Sequence, residues 1–270
     1  MKQERVYIPS TDNTQVALDT YVTHVSNEIA PDIRRPAILV CPGGGYAFCS
    51  EREAEPVALR FAALGFNTFV VWYRVAPNRF PKPQQDAAAA MAYIRKNAEA
   101  LHTDPNRIAI LGFSAGGHLA GSIGTMWQRA ELWEELGLTC EDVRPNAMVL
   151  CYPVLVSGRW AHQGSFENLT GCKDWSVHEA YSLDKLVDGK FCPPAFLWHT
   201  FNDTCVPVQN SLVMAQALRE NGVGAEVHIF PEGPHGLSLA SEETARNADL
   251  IQPDCQCWPE LAARFLKKAM

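Results

Sequence analysis

The stretch ILGFSAGGHLAG, residues 110–121, decides how the rest of this chain is read. An apolar run stops at Gly112, presents Ser114, and passes into a segment rich in glycine and alanine. Within it GFSAG, Gly112 to Gly116, fits the GxSxG pattern, in which a buried strand turns sharply into a helix and holds a serine oxygen exposed above the sheet. Glycines flank such a serine because the backbone there is strained and crowded. Five residues with two free positions prove little alone, since a small-residue turn with a capping serine uses the same letters. The flanks strengthen the reading: NRIAIL supplies a strand before the turn and SAGGHLAGSIGTMW a helix after it.

Outward from this point, short β-type runs alternate with helical segments. RRPAILVC, FNTFVVWYR, RIAIL, NAMVLCYPV, PPAFLWHT and AEVHIF are apolar nearly throughout. Between and after them lie EAEPVALRFAALG, the alanine-rich DAAAAMAYIRKNAEA, SLVMAQALRENG and the terminal WPELAARFLKKAM. Strands apolar on both sides and separated by helices imply an α/β fold, a mostly parallel central sheet with helices on both faces. RVYIPS and VALDTYV alternate like a half-exposed hairpin extending one sheet edge. The chain, 270 residues with 47% hydrophobic content, is expected to form a single domain, 1–270, with a lid-like insertion around 155–192.

Charge and composition narrow the partners. A net charge of -7 and the lack of a lysine and arginine run argue against nucleic acid or an anionic membrane, and favour small neutral or polar ligands. The polar start and the lack of a long apolar run predict no targeting or membrane-spanning segment, hence a cytoplasmic protein. Nine scattered cysteines, several inside apparently buried strands, suit reduced thiols. The CQC pair at 255–257 has no second pair at zinc-site spacing, so no metal is expected. The oligomeric state is left open.

A serine hydroxyl needs a base to take its proton and an acid to orient that base. In open sheets such groups collect in loops beyond the carboxyl ends of strands. Of eight histidines, His118 lies one turn along the serine's own helix and is assigned to packing. His199 and His228 fall inside strands, and His24, His102, His162 and His178 lack an adjacent strand end. His235, in PEGPHGL just beyond the last strand, is the candidate base. Asp203, ending WHTFND, is the candidate acid; Asp86 and Asp254 are better explained as helix caps, and Glu232 is second choice. For the developing oxyanion, the backbone N–H groups of Gly43 and Gly44 in PGGGY, with that of Ala115 after the nucleophile, are the candidate donors.

PGGGY, YRVAP with FPKPQQDAAAA, GFSAGGHLA, RPNAMVLCYPV, FLWHTFNDTCVPVQNSL and PEGPHGLSLA, taken in order, resemble the α/β-hydrolase esterases, in particular bacterial acetyl-xylan and related carbohydrate esterases, with hormone-sensitive-lipase-like enzymes more distant. The resemblance spans about Ala37 to Ala240 and carries nucleophile, acid and base onto Ser114, Asp203 and His235. It implies short acyl groups, acetyl above all, on xylan-derived oligosaccharides, with no cofactor. This chain has Pro42 where lipase-like relatives have histidine, and Asn202 where a second acid is expected. In the insertion, Trp160 and Trp175 have flat faces suited to a sugar ring, and with Tyr46 they are the candidate substrate contacts. An amidase or peptidase of the same fold, an esterase of other small esters, and a non-catalytic binding protein are the competing readings.

Overall fold

A computed structural model of the chain describes every residue except Ile29 and Pro31. Its strands are β1 (Lys2–Pro9), β2 (Gln15–Val22), β3 (Arg35–Cys41), β4 (Asn67–Trp72), β5 (Thr103–Phe113), β6 (Ala147–Cys151), β7 (Ala195–Thr200) and β8 (Ala225–Phe230). All eight join one sheet in the order β1-β2-β4-β3-β5-β6-β7-β8. β1 and β2 form the expected antiparallel edge hairpin, and β2 pairs antiparallel with β4; from β4 to β8 every pairing is parallel.

The apolar strands read as they do because the sheet is covered on both faces. Along β3, Ala37, Leu39 and Cys41 join one core cluster while Ile38 and Val40 join the other, following the two-residue period of a strand. The first cluster packs against α2 (Lys82–Lys96), α3 (Ala115–Met126) and α7 (Gln209–Glu220), and the second against α1 (Glu55–Ala63) and α8 (Trp258–Ala269). The chain is an α/β protein with a mostly parallel sheet between helical layers. The remaining α-helices among the described residues are the four-residue α4 (Cys140–Val143), then α5 (Gln163–Thr170) and α6 (Trp175–His178), both within segment 155–192.

One reading of a helix start is corrected. α2 begins at Lys82 with Pro83 in its first turn, so Asp86 lies a full turn inside the helix and does not cap it. Its fully buried carboxylate accepts from the Arg74 guanidinium at 2.7 Å and from the Arg74 backbone N–H at 2.7 Å, tying the chain after β4 to α2. Segment 155–192 is anchored from beneath: Asn210 Oδ1 accepts from the amides of Leu155 and Val156, and its Nδ2 donates to the carbonyl of Trp160. No helix among the described residues is long and apolar enough to cross a membrane.

Candidate active site

Ser114 stands between β5 and α3 with φ 52° and ψ −119°, a conformation that costs a side-chain-bearing residue about 1–3 kcal/mol. Its neighbours show why the turn takes glycine. A Cβ on Gly112 would collide with the carbonyl of Gly116, and one on Gly116 with the carbonyls of Cys41 and Pro42, so β3, β5 and α3 meet only if both positions lack side chains. The Ser114 N–H donates to the Cys151 carbonyl at 3.0 Å and its carbonyl accepts from Val154 N–H at 3.0 Å, which holds the strained residue from both sides against the end of β6.

His235, on the loop after β8, places Nε2 2.8 Å from Ser114 Oγ and Nδ1 2.7 Å from Asp203 Oδ2, the acid carried by the loop after β7. A carboxylate only accepts, so Nδ1 carries the proton and the Nε2 lone pair accepts from the serine hydroxyl. Asp203 Oδ1 accepts from the amides of Cys205 and Val206, both at 2.9 Å. Burial would push this carboxyl up, but hydrogen bonds from His199 and His235, the His235 charge and the Val206 amide hold it well below the ordinary carboxylate range. The loops are tied together where a second acid was expected: Asn202 Oδ1 accepts from Gly233 N–H at 2.9 Å, and Thr200 Oγ1 donates to the Gly233 carbonyl at 2.8 Å. The edge of the Tyr152 ring packs on His235 with centroids 5.1 Å apart.

The glycine loop after β3 corrects one expected donor. Gly43 N–H is taken by Glu53 Oε2 at 2.8 Å, so it is not free to hold an oxyanion; Gly44 and Ala115 remain the candidate donors. Ala115 opens α3, where the first N–H groups have no partner in their own helix. Pro42, in place of histidine, contributes its carbonyl, which accepts from Tyr73 OH at 2.6 Å. Tyr46 is also corrected: at 1% exposure its ring points inward and its hydroxyl meets His118 Nδ1 at 2.9 Å, leaving no surface for a ligand. His118 Nε2 donates to the Tyr181 carbonyl at 2.9 Å, so Nδ1 is the acceptor, and burial pulls this imidazole down to about 4. His118 is a neutral packing residue, as its position in the sequence predicts.

Glu53 and Tyr152 carry the loop and have no counterpart in the sequence reading. Glu53 is 4% exposed and accepts from Tyr152 OH at 2.6 Å through Oε1 while holding Gly43 through Oε2; Tyr152 OH accepts from Ser238 N–H at 2.8 Å. Burial pushes the Glu53 carboxyl up, opposed by these two donors. Glu53, through Tyr152, thereby joins the glycine loop to the loop bearing His235. Glu53→Gln presents an NH2 to one of two donors, and is expected to lower stability by about 1–3 kcal/mol in urea unfolding and to reduce kcat.

Segment 155–192 places its aromatics differently from one another. Trp160 is half-buried at the edge of the core with the Arg159 guanidinium 4.4 Å over its ring, whereas Trp175 opens α6 at 54% exposure. His162, passed over for lack of a strand end, stands just before α5 with Nδ1 2.8 Å from Ser165 Oγ. Burial lowers its proton affinity, and the charges of His235 and Asp203 both reach it.

A parallel sheet between helical layers, with a serine, a histidine and an aspartate hydrogen-bonded in line above strand ends, defines an α/β hydrolase. The chain belongs to the alpha/beta hydrolase fold family, whose model matches residues 38–239. It is 36% identical over 219 residues to the endo-1,4-beta-xylanase B of Butyrivibrio fibrisolvens and 32% identical over 211 residues to the acetylxylan esterase of Xylanibacter ruminicola. Those matches cover 78% and 76% of this chain but only 34% and 42% of the relatives, so the chain spans less than half the length of either. The crystal structure of an acetyl ester-xyloside bifunctional hydrolase from Caldicellulosiruptor lactoaceticus superposes with a TM-score of 0.82 at 36% identity, covering 97% of this chain and 96% of that one.

Proposed function

We propose that the protein is a serine ester hydrolase that removes short acyl groups, acetyl above all, from xylo-oligosaccharides. The observation that carries this reading is the unbroken hydrogen-bonded line Ser114–His235–Asp203, with the serine strained outward at the elbow. Ser114 Oγ attacks the ester carbonyl as His235 Nε2 takes its proton, and the oxyanion is held by the amides of Gly44 and Ala115. His235 returns that proton to the departing alcohol oxygen, leaving an acyl-enzyme. Water, deprotonated by the same nitrogen, then releases the acid and restores the serine. Asp203, kept ionised by its donors, fixes the tautomer and balances the imidazolium. None of these steps requires a metal or an organic cofactor.

The acetyl and xylan part of the reading is supported by the similarity to the acetylxylan esterase and the acetyl ester-xyloside hydrolase. Nine free thiols suit a reducing compartment, where short imported oligosaccharides are the substrates within reach. The test is acetate release from acetylated xylo-oligosaccharides beside an aryl acetate. Cleavage of both supports the full reading, and cleavage of the aryl ester alone removes the sugar assignment. Loss of one stacked ring, Trp160→Ala or Trp175→Ala, is expected to raise KM for the sugar ester about two- to tenfold. An unchanged KM takes that tryptophan out of the sugar subsite.

A further inference from the structure

The alcohol half of the ester is the part that must be recognised if sugars are to be told from simple alcohols, and a histidine held at the glycine loop is the group that bears on it. α5 docks onto the glycine loop: Asn168 Nδ2 donates to the Gly45 carbonyl at 2.8 Å, and Ser165 Oγ faces Gly45, lying 3.9 Å from where a Cβ there would stand. Ser165 Oγ in turn holds His162 Nδ1 at 2.8 Å. The imidazole makes no capping bond to its own helix, and among the described residues its Nε2 has no hydrogen-bond partner. His162 is therefore held beside the glycine loop, fixed by one ring nitrogen with the other unspent.

The direction of the reaction tells which half of the ester lies there. The carbonyl oxygen must face the amides of Gly44 and Ala115, and the alcohol oxygen must face His235 Nε2 to be protonated as it leaves. A side chain held at the glycine loop, close enough to feel the charges of His235 and Asp203, is within reach of substituents on the leaving alcohol. The charged groups that reach His162 are His235 and Asp203, and both its burial and the neighbouring His235 favour the neutral ring, which presents one nitrogen without competing for the serine proton.

We infer, on the ester-hydrolase reading above, that His162 hydrogen-bonds through Nε2 a hydroxyl neighbouring the scissile oxygen, and so selects esters of polyols over esters of plain alcohols. The experiment uses a matched pair, 2-hydroxyethyl acetate and n-propyl acetate, which differ in one hydroxyl replaced by methyl, with aryl acetate as a third substrate. The quantity read is the ratio of kcat/KM for the pair, because a general loss of fold or of triad geometry lowers both members together. The wild type is expected to prefer the hydroxylated ester roughly tenfold, the worth of one good hydrogen bond. His162→Asn keeps a polar atom near Nδ1 for Ser165 but none at Nε2 and should abolish the preference; His162→Gln, which extends an amide to the Nε2 position, should restore part of it. A ratio left unchanged by His162→Asn, or lost equally in both variants, overturns the inference. A wild type that cleaves the aryl acetate without preferring the hydroxylated ester overturns it while sparing the esterase reading, and one inert toward all three overturns both.

Discussion

Ser114→Ala is expected to lower turnover of an aryl acetate by roughly 10⁴- to 10⁶-fold with the fold intact. The substitution removes one atom, Oγ, the partner of His235 Nε2 at 2.8 Å. Alanine carries the same Cβ, so it inherits the positive φ of 52° and its strain, neither relieving nor adding to it. The backbone bonds to Cys151 and Val154 that hold the elbow are untouched. The lost hydrogen bond lies at a partly exposed imidazole where water takes its place, so the midpoint of thermal unfolding should move by only about 2–4 °C. Turnover measured against the wild type, with labelling by a fluorophosphonate as a second reading, checks both halves: the wild type should be labelled once, at Ser114, and the mutant not at all. Turnover in the mutant within tenfold of the wild type would mean that the elbow holds a serine for structural reasons only.

The features that could be read from the letters are those fixed by local rules. Phe113, Thr200 and Phe230 end apolar strands, and the loops beyond them carry Ser114, Asp203 and His235, so alternation of elements and the strand-end rule together locate the hydrogen-bonded line. The edge hairpin was equally legible in RVYIPS, where Val6 and Ile8 turn inward while Tyr7 and Pro9 stay exposed. What could not be read depends on contacts between segments far apart in the chain. Glu53 looks like Glu51 and Glu55 beside it, and only the approach of Tyr152, 99 residues later, and of Gly43 makes it a buried brace. The one available signal was a tyrosine closing the apolar run MVLCYPV, a hydroxyl that burial obliges to find a partner. Gly43 was expected to donate to an oxyanion because glycine leaves its N–H unobstructed, yet the partner that takes it comes from the turn ahead of α1. Tyr46 follows that loop with φ 57°, which turns its ring into the core and onto His118. His162 escaped the strand-end rule since it lies within the connection between β6 and β7, just before α5, rather than at the end of a strand.

The second large effect belongs to Asp203→Asn, which should cost roughly 10⁴-fold in kcat although asparagine has nearly the same shape. Two backbone amides, Cys205 and Val206, already point at Oδ1, so the asparagine oxygen must stay with them and its NH2 must turn to His235. Facing a donor, His235 Nδ1 becomes the acceptor and the ring proton moves to Nε2, where it opposes the Ser114 hydroxyl it should receive from. The same NH2 meets His199 Nε2, which lies 3.4 Å from Oδ2 and donates to the Val206 carbonyl at 3.0 Å, so the substitution also sets two donors against each other. Nitrogen NMR of the imidazole should show the proton on Nδ1 in the wild type and on Nε2 in Asp203→Asn. The pH dependence of stability supplies an independent check. Asp203 is held below its ordinary value, so its contribution is present above about pH 4 and is lost only as pH falls further, through the lowered folded value. Asp203→Asn should therefore lose less stability than the wild type on titration below pH 4. If turnover in Asp203→Asn stays within tenfold and the proton stays on Nδ1, His235 is oriented by something other than this carboxylate.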